Sequence, residues 1–496
     1  MSSILVILVT MPFAVAVASF FIPTKAAKII TIAAGSVAFM LSLALVPSAA
    51  SRPQIVAGSL LRVDALSVVF LVATTFLYAT TAVFASGYLS LSNNDAGKRY
   101  GRRFYAGLNL FCWSMTAAPL VNGLALLWVA IEITTVISAL LVAIDDTDEA
   151  TEASWKYVLI ASLGLGIALL ATIIMYYAGT AVFGSSYELS FTKLLSGAGK
   201  FPADVVRLAF VLAVLGYGTK MGLAPVHTWL PDAHSEAPTP VSALLSGALL
   251  AISFYAILRY FQIAIRSIGP TFPRDVLLIF GVASLVLASL YLLAQRDIKR
   301  LLAYSSVEHM GILAIGMSFA APIAIVGVLL HVLAHAAAKG TAFFGAGSVV
   351  RKFATKDMRK IRGGVDLLPW SGPMFVAAIL ALSAMPPFGI FRSEFLIVAG
   401  GLQNPGDIAT VVLVMLVTMA FFGLSWFATQ TMLSPKDTSI APGPSGVASI
   451  VKGEVSIYIV ISMGIGLVAL VILGVHPPEV LLRLLNQAAA ELGRPR

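Results

Sequence analysis

The chain has 496 residues, of which 59% are hydrophobic and only 11% are charged. Soluble proteins carry about 25% charged residues, so this composition excludes a soluble globular protein and predicts an all-α, polytopic membrane protein. The formal net charge of +9 comes from basic residues in the loops. Basic loops of a membrane protein interact with the membrane surface, so this charge does not indicate nucleic-acid binding.

The chain contains one cysteine, Cys112, and six histidines. A single cysteine excludes intrachain disulfides, cysteine-based zinc sites and iron–sulfur clusters held by this chain alone. The chain also lacks the Cys-x-x-Cys-His pattern of covalent haem attachment. We therefore expect no cofactor and no metal in this chain, and we expect any redox chemistry to belong to partner subunits.

Apolar runs recur along the chain at the length of roughly 20 residues that a transmembrane helix needs, and they predict about fourteen spans. In chain order these lie at residues 3–22, 28–47, 64–90, 104–121, 123–144, 155–178, 206–223, 240–264, 275–294, 299–319, 322–350, 370–400, 408–433 and 454–474. The first charged residue, Lys25, follows the first run, which predicts a retained span rather than a cleaved signal peptide.

Three stretches outside the spans carry predictions of their own. Residues 179–205 form a longer polar connection with no assigned structure. Residues 434–453 are rich in Pro, Gly and Ser, which predicts a flexible connector before the last span. In the tail, apolar residues at helical spacing predict a short amphipathic helix at the membrane interface, namely Val480, Leu481, Leu484 and Leu485.

The distribution of Lys and Arg among short loops predicts the orientation in the membrane. With this span count, Lys98–Arg103, Arg296–Arg300 and Arg351–Arg362 lie on one side, and the last of them holds six basic residues. We expect that side to be cytoplasmic, which places both termini on the outer face. The opposite side also carries basic residues, at Lys193, Lys200, Arg266 and Arg274.

The seventh and twelfth spans each contain helix-breaking residues. Gly222 and Pro225 interrupt the seventh span, and Ser383–Gly389 interrupts the twelfth. Paired interrupted helices in corresponding positions indicate inverted repeats around an ion path at mid-membrane. The predicted units are residues 1–103 with spans 1–3, 104–265 with spans 4–8 as the first repeat, 266–433 with spans 9–13 as the second, and 434–496 with the connector, span 14 and the tail.

Two ionisable residues lie deep within predicted spans, Glu132 in the fifth and Lys220 in the seventh. An unpaired charge at the bilayer centre costs roughly 2.5–3.5 kcal/mol on insertion scales, so we expect Lys220 to be the partner of Glu132. Burial and a nearby carboxylate act in opposite directions on a lysine, which makes Lys220 a candidate proton carrier. The alternatives are a purely structural glutamate and a lysine that reaches toward the membrane surface.

In the eleventh span, His331, His335 and Lys339 recur at i, i+4 and i+8 and therefore share one helix face. A neutral imidazole accepts a hydrogen bond at one nitrogen and donates from the other, so the pattern predicts a proton relay that ends at Lys339. Metal binding is disfavoured because only two histidines are present without a nearby acidic motif. The alternative is a pair of packing histidines.

Further candidates flank the two interruptions. Glu308 and His309 of the tenth span belong either to the polar axis or to the structural scaffold. Glu394 follows the second interruption and is the candidate exchange site toward the outer face, the alternative being a half-helix cap or an ion pair with Arg392.

Three polar residues lie in the first interruption: His227, Asp232 and His234. They either admit water and protons or cap the half-helices. Taken with the buried residues of spans 5, 7, 10, 11 and 12, they suggest a polar chain that crosses the protein at mid-depth and joins two half-channels.

These residues also carry a resemblance to a known family. The run K-x-G-x-x-P-x-H-T-W-L-P-D-A-H-x-x-A-P-T-P-V-S at 220–242 resembles the antiporter-like subunits of respiratory complex I, of Mrp cation/proton antiporters and of membrane-bound hydrogenases. Residues 297–307 (DIKRLLAYSSV) and the spacing of His331, His335 and Lys339 resemble the same family. Residues 128–135 (WVAIEITT) and 386–395 (PPFGIFRSEF) most resemble component F of hydrogenase-4-type group 4 nickel–iron hydrogenases.

The resemblance implies a fourteen-span fold with inverted five-helix repeats and proton pumping driven by electron transfer in partner subunits. It places the family's functional residues of spans 5, 7, 11 and 12 on Glu132, Lys220, Lys339 and Glu394. It implies membrane-arm partners and a peripheral redox arm, hydrogenase-like or NADH dehydrogenase-like, that carries iron–sulfur clusters and a nickel–iron centre. The expected location is a bacterial or archaeal inner (plasma) membrane.

One position departs from the family pattern. Some relatives carry Lys or His in span 8, where this chain offers Ser246 and Ala251, so the link between half-channels must use water or residues such as His309. The leading hypothesis is a proton-translocating subunit of a hydrogenase-type, complex I-related oxidoreductase. The alternatives are a subunit of a quinone-reducing NADH dehydrogenase or an Mrp-type sodium/proton antiporter, a non-conducting membrane-arm scaffold and a self-contained solute transporter.

Overall fold

The computed structural model describes residues 2–50, 53–56, 58–89, 94–403, 408–435 and 451–493. Most of the predicted connector at 434–453 lies outside the described residues. One antiparallel hairpin is formed by β1 (Gln54–Val56) and β2 (Leu61–Val63).

The described helices run in chain order as α1 (Ser2–Phe21), α2 (Thr24–Ala49), α3 (Ala65–Tyr88), α4 (Asp95–Ala117), α5 (Leu124–Val142), α6 (Asp148–Phe183), α7 (Phe191–Gly197), α8 (Ala203–Met221), α9 (Trp229–Glu236), α10 (Thr239–Leu244), α11 (Leu250–Ile268), α12 (Thr271–Leu292), α13 (Ile298–Ser318), α14 (Pro322–Phe353), α15 (Gly364–Leu367), α16 (Ser371–Leu382), α17 (Gly389–Gly401), α18 (Ile408–Ala428), α19 (Ile457–Val475) and α20 (Glu479–Gly493). Single 3₁₀ turns occupy Ala118–Leu120, Ala143–Asp145, Ala198–Lys200 and Met358–Lys360, and π turns occupy Leu245–Leu249 and Thr429–Leu433.

The prediction of an all-α polytopic fold is confirmed. Within the described ranges, ten helices are long and apolar enough to cross a membrane. The remaining predicted spans coincide with α4, α8, α13 and the pair α16 and α17, which are shorter or carry more polar residues. A helix surrounded by other helices need not be apolar on every face, and α13 accordingly buries Lys299, Glu308 and His309.

The interior of the bundle is formed by α3, α14 and the continuous span Thr239–Ile268. The most apolar stretches of these spans are 89%, 89% and 100% buried, whereas those of α1, α18 and α19 are only 28% buried. Helices that expose apolar surface face the lipid, so the innermost spans are the ones able to hold charged side chains away from it.

Both predicted interruptions are present. Helix α8 ends at Gly222, whose φ of 87° is left-handed and whose N–H bonds back to the Gly218 carbonyl at 2.9 Å, as in glycine-terminated helices. The chain resumes as a helix at Trp229. The second interruption separates α16 from α17. Each contains a cis peptide bond, at Pro225 and Pro387. The bounds of the inverted repeats stay a prediction.

The structure defines two stretches that lie outside the predicted spans. Within 179–205, α6 continues to Phe183 and α7 occupies Phe191–Gly197. The predicted amphipathic helix of the tail is α20, and its apolar face packs against the bundle, where Leu484 and Leu485 are fully buried.

Candidate functional site

The first buried lysine is held by hydroxyl groups. Lys220 lies in the last turn of α8 and is completely buried. Its Nζ donates to Thr135 Oγ1 on α5 at 2.8 Å and to the Tyr157 hydroxyl on α6. That hydroxyl also shares a hydrogen bond of 2.7 Å with Ser138 Oγ. Because Gly222 ends the helix immediately afterwards, the lysine sits where two neighbouring helices can surround it.

Glu132 and Lys220 interact electrostatically, as expected of partners, but they form no direct ion pair. No described carboxylate lies within 4 Å of the Lys220 ammonium; Glu132 instead accepts a hydrogen bond of 3.3 Å from Ser162 Oγ through one carboxylate oxygen. Its other oxygen, Oε2, is buried and has no hydrogen-bond partner among the described residues. Glu132 is one helical turn before Thr135 on α5, so its charge still acts on the lysine through space.

The second buried lysine has a matching arrangement. Lys339 of α14 is completely buried, and its Nζ donates to the Leu302 carbonyl at 3.0 Å and to Ser305 Oγ, both on α13. Glu308, one turn along the same helix, acts on this lysine electrostatically and has one buried oxygen without a partner among the described residues. Each lysine is therefore held by neutral oxygens while a carboxylate stands nearby.

Three histidines form a compact buried cluster between α13 and α14. His309 Nδ1 and His331 Nε2 are 3.1 Å apart, and His331 Nδ1 is 2.9 Å from Ser393 Oγ on α17. The ring of His335 lies 5.2 Å from that of His309, and neither of its nitrogens has a hydrogen-bond partner among the described residues. The predicted His331–His335 face is confirmed, and His309 joins it.

Glu394 of α17 lies beside the histidine cluster. One of its oxygens lies 4.0 Å from His309 Nδ1, and the ligating atoms of His309, His331 and Glu394 all lie within 4.8 Å of one another. Such a set is compact enough for one metal ion, but the two histidines already satisfy each other by a direct hydrogen bond, which favours a proton relay. Glu394 also lines a cavity of about 110 Å³ that α18 borders.

The residues of the first interruption have different positions. Asp232 pairs with Arg300 at 2.7 Å and with Lys156 at 3.5 Å, so it ties α9 to the neighbouring helices. His227 is buried at the break, with its ring 6.5 Å from Tyr304, and the structure does not join it to either lysine.

For His234 the sequence left open a role in admitting protons and a role in capping a half-helix. It is completely buried, and neither ring nitrogen has a hydrogen-bond partner among the described residues. Its ring lies 6.1 Å from Trp229, which contacts Tyr157 of the first lysine site, and 5.9 Å from Phe343, one turn beyond Lys339. His234 thus lies between the two lysine sites. The sequence feature that favours this position is the location of His234 close to Trp229 along the interrupted span.

The position of the missing span-8 lysine is occupied by a serine pair. Ser246 lies in the π turn Leu245–Leu249, and its Oγ is 2.7 Å from Ser306 Oγ on α13. Ser306 is next to Ser305, which accepts from Lys339. Single π turns often occur at functional positions because they change the direction in which side chains point. Ala251 is buried and offers no polar group.

The comparisons with known proteins cover most of the chain. A family profile described as NADH:quinone oxidoreductase/Mrp antiporter, transmembrane, matches residues 121–423. The chain is 35% identical over 364 residues to a hydrogenase-4 component F homolog of Methylacidiphilum infernorum, an alignment that covers 73% of this chain and 76% of the relative.

Solved structures share the fold across nearly the whole length. A chain of the Mrp complex from a Dietzia species matches with a TM-score of 0.83 at 19% identity and covers 99% of this chain and 97% of its own. A chain of respiratory complex I from Thermus thermophilus matches with a TM-score of 0.74 at 23% identity and covers 96% and 98%. At these identities the likeness establishes the fold alone.

Proposed function

We propose a function from one premise: this chain belongs to the NADH:quinone oxidoreductase/Mrp antiporter family of membrane subunits. The subunit moves protons through a mid-membrane chain of Glu, Lys and His side chains and couples this movement to electron transfer in partner subunits. The observation that carries the proposal is the repeated arrangement of a completely buried lysine, held by hydroxyls, with a carboxylate nearby.

The arrangement supports a sequence of proton transfers. A lysine bonded to neutral oxygens can lose its proton without leaving a directly paired carboxylate behind. The pKa of the lysine then depends on how near the carboxylate is, so movement of Glu132 or Glu308 can switch the lysine between binding and releasing a proton. Lys220 serves the first half-channel and Lys339 the second. His234 and the Ser246–Ser306 pair, with water, link the two, and the three histidines pass the proton to Glu394.

The partner assignment rests on the hydrogenase relative. Similarity to the component F homolog favours a hydrogenase-type complex, in which partner subunits hold the iron–sulfur clusters and the nickel–iron centre. The alternatives are a subunit of a quinone-reducing NADH dehydrogenase or of an Mrp-type sodium/proton antiporter. We place both termini on the outer face, as the basic loops predict.

The proposal is tested by redox-driven proton uptake into sealed vesicles that contain the purified complex. Lys220→Ala and Glu132→Gln should each lower pumping by about tenfold or more, because each removes a proton-carrying group. Lys452→Ala and Glu149→Gln remove the same groups from exposed positions and should leave pumping unchanged.

Assembly and electron transfer are measured on the same preparations. Unchanged pumping in both buried variants, with the complex intact, would show that these charges are structural and would favour the scaffold alternative. Replacing Na⁺ by K⁺ in the vesicles separates the remaining possibilities, since a proton pump keeps its activity whereas a sodium/proton antiporter loses it.

A further inference from the structure

A basic cavity lies where the start of α2, the end of α3 and the start of α4 meet, far along the chain from the buried lysine sites. Its volume is about 360 Å³. Four basic residues line it: Lys25, Lys28, Lys98 and Arg102. None of the residues that line it is acidic. A cavity with this excess of positive charge is suited to an anion.

Two of the four basic residues lack a partner. Lys28 donates to the Ser86 carbonyl at 2.8 Å, and Lys98 lies 3.4 Å from Asp95. Among the described residues, Lys25 has no acidic group within 4 Å, and the buried Nε of Arg102 has no hydrogen-bond partner. The Arg102 Nε–H is free to donate among the described residues, and guanidinium groups match phosphate geometry.

The surroundings of the cavity point to a lipid rather than to a soluble phosphate. Pro23 and Thr24 of the turn between α1 and α2 line the cavity, and large apolar side chains close to this turn in the chain are exposed. Phe21 is 78% exposed and Ile29 is 66% exposed. In a membrane-spanning bundle these side chains meet acyl chains, so one ligand can place its phosphate in the basic cavity and its chains along α1 and α2.

We propose that this cavity binds the phosphate headgroup of an anionic glycerophospholipid, with Lys25 and Arg102 as the principal contacts. The position matches the basic side of the protein, which carries the stretch Lys98–Arg103 at the start of α4 and the stretch Arg351–Arg362, whose Arg351 contacts the end of α3 beside the cavity. The bound lipid bridges the α1–α2 turn and the start of α4.

The test uses hydrogen exchange of the purified complex in nanodiscs of phosphatidylcholine to which phosphatidylglycerol is added. We expect phosphatidylglycerol to slow amide exchange in residues 24–28 and 95–105. The variant Lys25→Gln/Arg102→Gln should need about tenfold more phosphatidylglycerol for half-maximal protection than the control does. The control, Arg99→Gln/Arg103→Gln, removes two exposed charges from the same helix that do not line the cavity.

Three outcomes would overturn the proposal. Equal lipid requirements in both variants would show general attraction of the basic surface. Equal protection by phosphatidylcholine would show that the headgroup charge is irrelevant. Equal protection by inorganic phosphate alone would identify a soluble anion as the ligand. Melting temperatures of both variants check that the fold is intact.

Discussion

At the scale of single residues, hydroxyl groups rather than carboxylates define the polar interior. Thr135 and Tyr157 hold Lys220, and Ser305 holds Lys339. Hydroxyls both donate and accept, so they can stabilise a lysine in either protonation state and also pass a proton. This explains how a completely buried ammonium can be tolerated without a direct ion pair.

The serine pair offers the most specific test of the proposed link between the two half-channels. We expect Ser246→Ala to lower proton pumping several-fold, because it removes the hydroxyl that bonds Ser306 of α13. Pumping by the complex in vesicles measures the effect.

The matched control is Ser253→Ala in the same span. Ser253 is also buried, but its hydroxyl bonds only to the Leu249 carbonyl of its own helix. Equal losses in the two variants, or no loss in Ser246→Ala, would contradict a role for the serine pair in conduction.

At the scale of helices, close packing depends on small residues. A Cβ added to Gly216 of α8 would lie 2.5 Å from the Ala168 backbone nitrogen and 2.7 Å from the Gly164 carbonyl oxygen of α6. Backbone atoms cannot move aside as a flexible side chain can. Small residues allow such close approach between helices in membranes, where dispersion and not hydrophobicity drives their association. The contact positions α8, and hence Lys220, against α6 and Tyr157.

We expect Gly216→Ala to destabilise the subunit by roughly 1–3 kcal/mol through overpacking. Gly166→Ala on α6 is the control, because no atom would lie within 4 Å of its added Cβ. Thermal unfolding of the detergent-purified complex measures both. A melting temperature of Gly216→Ala equal to that of the control would contradict the proposed backbone contact.

Docking of the C-terminal helix should depend on pH. Burial and the neighbouring Asp64 raise the pKa of Glu491 on α20 to about 7, despite the opposing charges of Arg259 and Arg62. A raised carboxyl pKa in the folded state means that docking is favoured at low pH and weakens as the pH rises through about 7. Hydrogen exchange in Glu479–Gly493 should therefore be faster at pH 8 than at pH 6, after correction for intrinsic exchange rates.

Glu491→Gln removes the titrating group, so its corrected exchange should no longer change over this interval. Glu479→Gln at the exposed start of the same helix should keep the change. Identical pH responses in the native chain and in Glu491→Gln would rule out Glu491 as the titrating group.

At the scale of the whole molecule, the innermost span, Thr239–Ile268, packs against the helices that carry both buried lysines, α8 and α14. His234 lies between the two sites, and Ser246 of this span bonds Ser306, the neighbour of the residue Ser305 that accepts from Lys339. If the sites act in series, blocking one already stops the path, so the double variant Lys220→Ala/Lys339→Ala should pump no less than the worse single variant. Proton uptake by the three variants decides this. Losses that add, so that only the double variant abolishes pumping, would indicate two parallel paths.

The sequence by itself determined the spans, the two interruptions and most of the buried ionisable residues. Long apolar runs have no alternative to helices in a bilayer, and charges within them are costly enough to stand out. Local spacing also placed His331, His335 and Lys339 on one face. These inferences depend only on residues close together in the chain.

The tertiary structure alone decided which groups meet. Tyr157 and Thr135 contact Lys220 from 63 and 85 residues away, and Ser393 contacts His331 from 62 residues away. Hydroxyl residues are common in membrane helices, so nothing in their local pattern distinguishes a contact to a lysine from an ordinary bond to the helix backbone. The same limit applies to the π turn that directs Ser246 to Ser306 and to the packing of α20, because both depend on surfaces that exist only after the helices assemble.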